Sequence, residues 1–140
     1  MEKTRGFTLI ELMIVIAVIG VLAAIAIPNY NEHVIRSRIT GATSVLSDMS
    51  VKMEQYFQDN RTYIGAYAAG TVATRPADTT TFAFTNPTLT ATAYDIVATG
   101  TGPMSGFVFH VTQSGKSTTA VPSGWGGAGS ACWVTSKSGC

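Results

Sequence analysis

Glu11 is the residue whose placement most needs a chemical explanation, because it is the one ionisable side chain in an apolar run of 21 positions from Phe7 to Ile27. A carboxylate within a membrane span costs about 2.5–3.5 kcal/mol on insertion scales. Leu would suit hydrocarbon better, so something must compensate the acid. The alternative is that Glu11, four positions past Phe7, lies near the headgroups, protonated or reaching to the interface, with no role. Cys132 and Cys140 are the second feature with chemical potential. Two thiols with no histidine between them are too few for a zinc site. If this part of the chain is exported, a disulfide is their use, adding about 2.5 kcal/mol; free thiols are the alternative. His33 and His110 are far apart, one just past the apolar run and the other on an expected strand, and read as ordinary surface residues. No Ser/His/Asp set, Cys/His pair, phosphate loop or carboxylate dyad accompanies them, so no catalytic residue, metal or cofactor is expected.

The elements that must position these residues follow from periodicity. Residues 1–6, Met-Glu-Lys-Thr-Arg-Gly, are short, polar and net basic. About 20 apolar residues at 1.5 Å each cross a hydrocarbon core of about 30 Å, and Lys3 and Arg5 ahead of the run hold the N-terminus in the cytoplasm. Beyond it Ile35, Ile39, Ala42, Leu46, Met49, Met53 and Tyr56 recur at spacings of four and three, one apolar stripe on a continuing helix. Asp48 and Lys52 stand on the opposite side at i, i+4. Pro28 and Gly41 weaken the helix, the first by its missing N–H, the second by about 1 kcal/mol relative to Ala. The exit is expected at Asp59-Asn60-Arg61-Thr62, and Tyr63 to Asn86 reads as a long connection.

Four strands are expected after it, at Thr81–Thr85, Ala93–Thr99, Gly106–Gln113 and Lys116–Val121, with Gln113-Ser-Gly115-Lys as a hairpin turn. The predicted class is α+β: a long N-terminal helix, half membrane-spanning and half amphipathic, packed on an antiparallel sheet. This divides the chain into residues 1–6, a helix over 7–58 with 7–28 in the membrane, and a head over 59–140. The glycine-rich tail after Pro122 carries Trp125 and Trp133 as packing anchors.

Composition narrows the functional classes. The 140 residues are 46% hydrophobic and 12% charged, and the formal net charge is +1. Taking Glu2, Lys3 and Arg5 from nine basic and eight acidic residues leaves seven of each. From Arg61 onward the bases are Arg61, Arg75, Lys116 and Lys137, opposed by Asp78 and Asp95, and no basic stripe for nucleic acid stands out.

Gly6-Phe7-Thr8-Leu9-Ile10-Glu11 ahead of a membrane-length apolar run resembles the N-terminus of type IV pilins, in its type IVa branch. The tail Gly124-Trp125, Cys132-Trp133-Val134 and Gly139-Cys140 is similar to that of proteobacterial minor pilins. The resemblance implies that a membrane prepilin peptidase cuts between Gly6 and Phe7 and methylates the new amine of Phe7. It implies that Glu11 then meets that amine on a neighbouring subunit, and that the stretch from Gly20 to Pro28 partly melts in the filament. It further implies a homo- or heteropolymer with other pilins, an inner-membrane assembly platform, and a single-pass inner-membrane precursor with a periplasmic head. The resemblance also implies that after assembly the subunit is extracellular, in a pilus serving adhesion, twitching motility or DNA uptake.

Rival readings make distinct demands. A secretory signal cut after Ala24-Ile25-Ala26 would release a soluble protein but leave Pro28 second in the new chain. A type II secretion pseudopilin would call for an acidic calcium loop, whereas Asp78 and Asp95 are isolated in sequence. A competence-type DNA receptor would stack bases on aromatics such as Trp125, although a glycine-flanked Trp is more often a packing anchor.

Overall fold

The structure, a computed structural model, describes residues 7–140 apart from the side chains of Pro28, Asn29 and Pro87. Helix α1 spans Leu9–Asn60 and runs through both Gly20 and Gly41, where an added Cβ would meet nothing within 4 Å. It ends where the sequence places the exit: Arg61 takes a left-handed φ of 58° and its N–H reaches the Phe57 carbonyl at 2.7 Å, which closes the last turn. The chain forms two compact units, one up to Ile35 and one from Arg36 to Cys140.

In the first unit the apolar side chains bury little against their own chain. Leu9 is 75% exposed, and Ile10, Ile14, Val18 and Val21 are each more than half exposed. The helix there is long and apolar enough to cross a membrane.

The second unit has an ordinary core. Ile39, Ala42, Leu46, Met49 and Met53, five positions of the expected stripe, are buried, and Asp48 and Lys52 form the expected ion pair at 2.7 Å. The sheet has the order β1-β2-β3-β4 and is antiparallel throughout, with β1 at Phe82–Leu89, β2 at Tyr94–Gly100, β3 at Val108–Thr112 and β4 at Gly115–Ala120. Register aligns Phe84 with Ala98, Ala98 with Phe109, and Phe109 with Thr118, all buried on one face. Side chains alternate along each strand, so Asp95, Val97 and His110 fall on the other face. Between β2 and β3 a 3₁₀ turn, Gly102–Met104, folds back so closely that a Cβ at Gly100 would overlap the Met104 carbonyl.

The first strand corrects the sequence reading. It was expected over Thr81–Thr85 and runs from Phe82 to Leu89, so the connection from Tyr63 ends at Thr81, five residues sooner than Asn86. Pro87 is the physical reason for the misreading: proline demotes a strand reading, but an edge strand accepts it. It lies in the register shift between Thr85 and Thr88.

Candidate functional site

Glu11 sits in the first turn of α1 and is bonded locally. Thr8 N–H donates to Glu11 Oε2 at 2.9 Å, Thr8 Oγ1 donates to the same oxygen at 2.8 Å, and Glu11 N–H donates to Thr8 Oγ1 at 3.2 Å. This is a capping box, in which an N-cap threonine and a glutamate three residues on satisfy each other's backbone donors. Thr8 was not singled out in sequence, although the Thr-x-x-Glu spacing ahead of an apolar run is its signature. The acid therefore has a partner within its own chain and also receives the favourable field of a helix N-terminus. Phe7, next to it, is 88% exposed. Gly6, on the far side of the expected cleavage point, lies outside the described residues. Gly20 is exposed within α1, and Pro28 is helical.

In the head, Cys132 and Cys140 are joined, with Cα atoms 6.1 Å apart. Thr118 ties this loop to the sheet. Its buried hydroxyl donates to the Cys132 carbonyl at 2.8 Å and accepts from Val134 N–H at 3.0 Å. Its backbone bonds Ser130 and Gly129 at 3.0 and 2.8 Å. Both tryptophans anchor the tail as expected: Trp125 meets Phe107 edge-on at 4.9 Å, and Trp133 Nε1 donates to the His110 carbonyl at 2.9 Å. Lys116 Nζ lies 5.1 Å from the centre of the Trp133 ring.

His110 and Asp95 correct the expectation of an ordinary surface histidine and an isolated acid. His110 Nδ1 contacts both Asp95 carboxylate oxygens, at 2.9 and 3.0 Å, and Nε2 contacts Thr119 Oγ1 at 3.1 Å. The two side chains are only 19% and 22% exposed. An Nδ1–H facing the carboxylate leaves a neutral ring's Nε2 to accept from the Thr119 hydroxyl. The order acid, imidazole, hydroxyl is that of a hydrolase triad, but here it ties β2, β3 and β4 together on one face. Asp78 is engaged as well, 2.6 Å from Arg75 Nη2. That guanidinium, followed by the Phe84 N–H, holds the Asp78 carboxyl below the usual carboxylate range.

The phenols near the helix end are protected. Tyr63 stacks on Phe57 and donates to Glu54 at 2.6 Å; burial, then that bond, pushes its pKa well above the ordinary value. Burial pushes Tyr67 and Tyr94 up to about 12. Among the described residues, no group of three or more His, Cys, Asp or Glu could hold a metal ion.

Comparison with known protein families covers the chain as far as residue 108. Residues 1–27 match the prokaryotic N-terminal methylation motif, and residues 28–108 match the family described as type IV minor pilin ComP, DNA uptake sequence receptor. The chain is similar to a probable minor fimbrial protein of Dichelobacter nodosus, 46% identical over 65 residues that cover 46% of this chain and 41% of that one. It is similar to the type IV major fimbrial protein FimA of Dichelobacter nodosus (strain VCS1703A), 44% identical over 69 residues, 49% of this chain and 43% of the other. A fimbrial protein of Pseudomonas aeruginosa is 42% identical over 66 residues, 47% and 43% of the two chains. Each match spans less than half the length of the relative.

Proposed function

This chain belongs to the type IV pilins, in the family of the minor pilin ComP, and we propose on that premise that it is a filament subunit assembled through its N-terminal helix. The observation that carries the reading is the first unit itself: an apolar helix exposed on its own chain, with one carboxylate at its N-terminal turn. Such a surface calls for lipid before assembly and other subunits after it.

In this reading the leader is cut between Gly6 and Phe7, the Phe7 amine is methylated, and Glu11 exchanges part of its bonding with Thr8 for the amine of the next subunit. A charge pair in a low-dielectric core is strong only when closely matched, so it also selects one axial offset between subunits. Cleavage creates the amine and so gates assembly. Gly20 and Pro28 bracket the stretch where the helix loosens in the polymer. Before assembly the precursor crosses the inner membrane once with its head in the periplasm. An assembly platform there extrudes it into a pilus. The relatives are fimbrial proteins by name, and we read this subunit as a structural one.

The test compares Glu11→Gln and Glu11→Ala with the wild type in a cell that makes the filament. Both variants should be processed and remain in the membrane, yet enter sheared filaments poorly. Incorporation at the wild-type level would reject the role of Glu11.

A second reading, DNA binding by the head, is favoured by the description of the family matched over residues 28–108. From Arg61 to the end of that range the bases are Arg61 and Arg75, and Arg75 is held by Asp78. The remaining cations of the head, Lys116 and Lys137, lie outside the matched range, Lys116 beside Trp133. A gel shift with purified protein decides: binding that weakens with salt and is lost in Lys116→Ala supports this reading, and no shift at low salt removes it.

A further inference from the structure

The segment between α1 and β1 closes one edge of the sheet in an unusual way. β1 pairs with β2 on one side only. On its other side the N–H and C=O of Phe82 and Phe84 need partners, since an open edge is a template for another strand. Phe84 N–H donates to Asp78 Oδ1 at 2.8 Å, and Arg75 Nε donates to the Phe84 carbonyl at 3.0 Å. Two residues earlier, Phe82 N–H donates to Thr79 Oγ1 at 2.9 Å and Thr79 N–H donates to the Phe82 carbonyl at 2.9 Å.

In an antiparallel ladder a single residue of the neighbouring strand gives and takes this pair of bonds. At Phe84 two side chains do it instead, and their own contact at 2.6 Å holds donor and acceptor side by side. Farther along β1, Pro87 has no N–H to offer and falls in the register shift between Thr85 and Thr88. The opposite edge is closed by main chain, through the bridge between Thr118 and Ser130 in the tail. The closure at Phe84 thus differs from the others: it rests on two side chains that are 43% and 47% exposed.

We propose that the Arg75–Asp78 pair guards the sheet edge by standing in for a fifth strand at Phe84, and that its loss opens β1 to antiparallel pairing with β1 of a second copy of this chain. A second copy is the partner that fits, because edge-to-edge antiparallel pairing is self-complementary. Around a twofold axis, each Phe84 supplies the donor and acceptor that the other lacks. Thr79 holds the outward groups of Phe82 and Pro87 offers no N–H, so the pairing is centred on Phe84, with Ala83 opposite Thr85, and guarding that one residue suffices to prevent it.

The test uses the full chain in detergent micelles, wild type against Asp78→Ala, Asp78→Asn and the double variant Arg75→Ala/Asp78→Ala, with amide hydrogen exchange and light scattering. In dilute Asp78→Ala the Phe84 amide should exchange about tenfold faster, with Ala83 and Thr85 nearly unchanged. Asp78→Asn keeps an acceptor oxygen and should show an intermediate Phe84 rate. As concentration rises, the double variant should double its protein mass relative to the wild type, and Phe84 should become protected again. The proposal is overturned if the Phe84 rate does not change, if exchange rises equally along β1, or if the double variant keeps the wild-type mass across the range.

Discussion

Ile16 and Leu46 lie on the same helix, yet Ile16 is 59% exposed while Leu46 is completely buried. The residues around Ile16 are apolar on every side, and those around Leu46 alternate with Ser47, Asp48 and Lys52. One helix thus follows two rules. From Arg36 onward the apolar residues form one stripe, and Ile39, Ala42, Leu46, Met49 and Met53 are buried within the second unit. From Leu12 to Ile27 the apolar surface is all round, which no single sheet could cover. In the proposed function the first region is shaped by partners outside the chain, whereas the second is shaped by the chain's own core.

Core substitutions should break that comparison most sharply. Phe109→Ala removes a fully buried ring and should cost about 3–5 kcal/mol, read by urea unfolding of the protein in micelles with tryptophan fluorescence. Ile16→Ala should leave the same curve in place and lower filament incorporation instead. Equal loss of head stability from the two substitutions would erase the distinction.

Next in size is the disulfide. Replacing Cys132 and Cys140 with Ala should cost the head about 2.5 kcal/mol by release of a short loop. Thr118→Val should follow at about 1–3 kcal/mol, because it leaves the Cys132 carbonyl and the Val134 N–H without the hydroxyl that joined them. Chemical denaturation measures both. If the valine variant is as stable as the wild type, the tail is held by the disulfide and main chain alone.

The smallest effect is one of pH. Tyr67 and Tyr94 stay protonated in the fold to about pH 12, while the unfolded chain releases such protons near pH 10. Unfolding therefore sheds protons between these values. The stabilisation from the two phenols is complete below pH 10 and falls away as pH rises toward 12. Thermal melts from pH 8 to 11 should show the decline beginning near pH 10, and Tyr67→Phe should make it shallower.

Much of the fold was legible in the residues, because periodicity and punctuation are local. The spacing of Ile39, Ala42, Leu46, Met49 and Met53 marked the buried stripe, Gly115 marked the hairpin, and three of the four strands fall within about two residues of expectation. What stayed hidden depends on register. Asp95 and His110 are fifteen positions apart and meet because Val97 aligns with His110 and Asp95 with Thr112. The Arg75–Asp78 pair is close in sequence, but its use became visible only when β1 lay beside it as an edge. Thr8 is the exception. Its bond to Glu11 is local, and the Thr-x-x-Glu spacing was there to be read.

The most direct test of the account is the mass of this subunit in filaments sheared from cells. The account predicts a chain that begins at Phe7 and carries a methyl group on its amine. Filament-borne copies that still hold residues 1–6 would contradict it, because the amine offered to Glu11 would not exist.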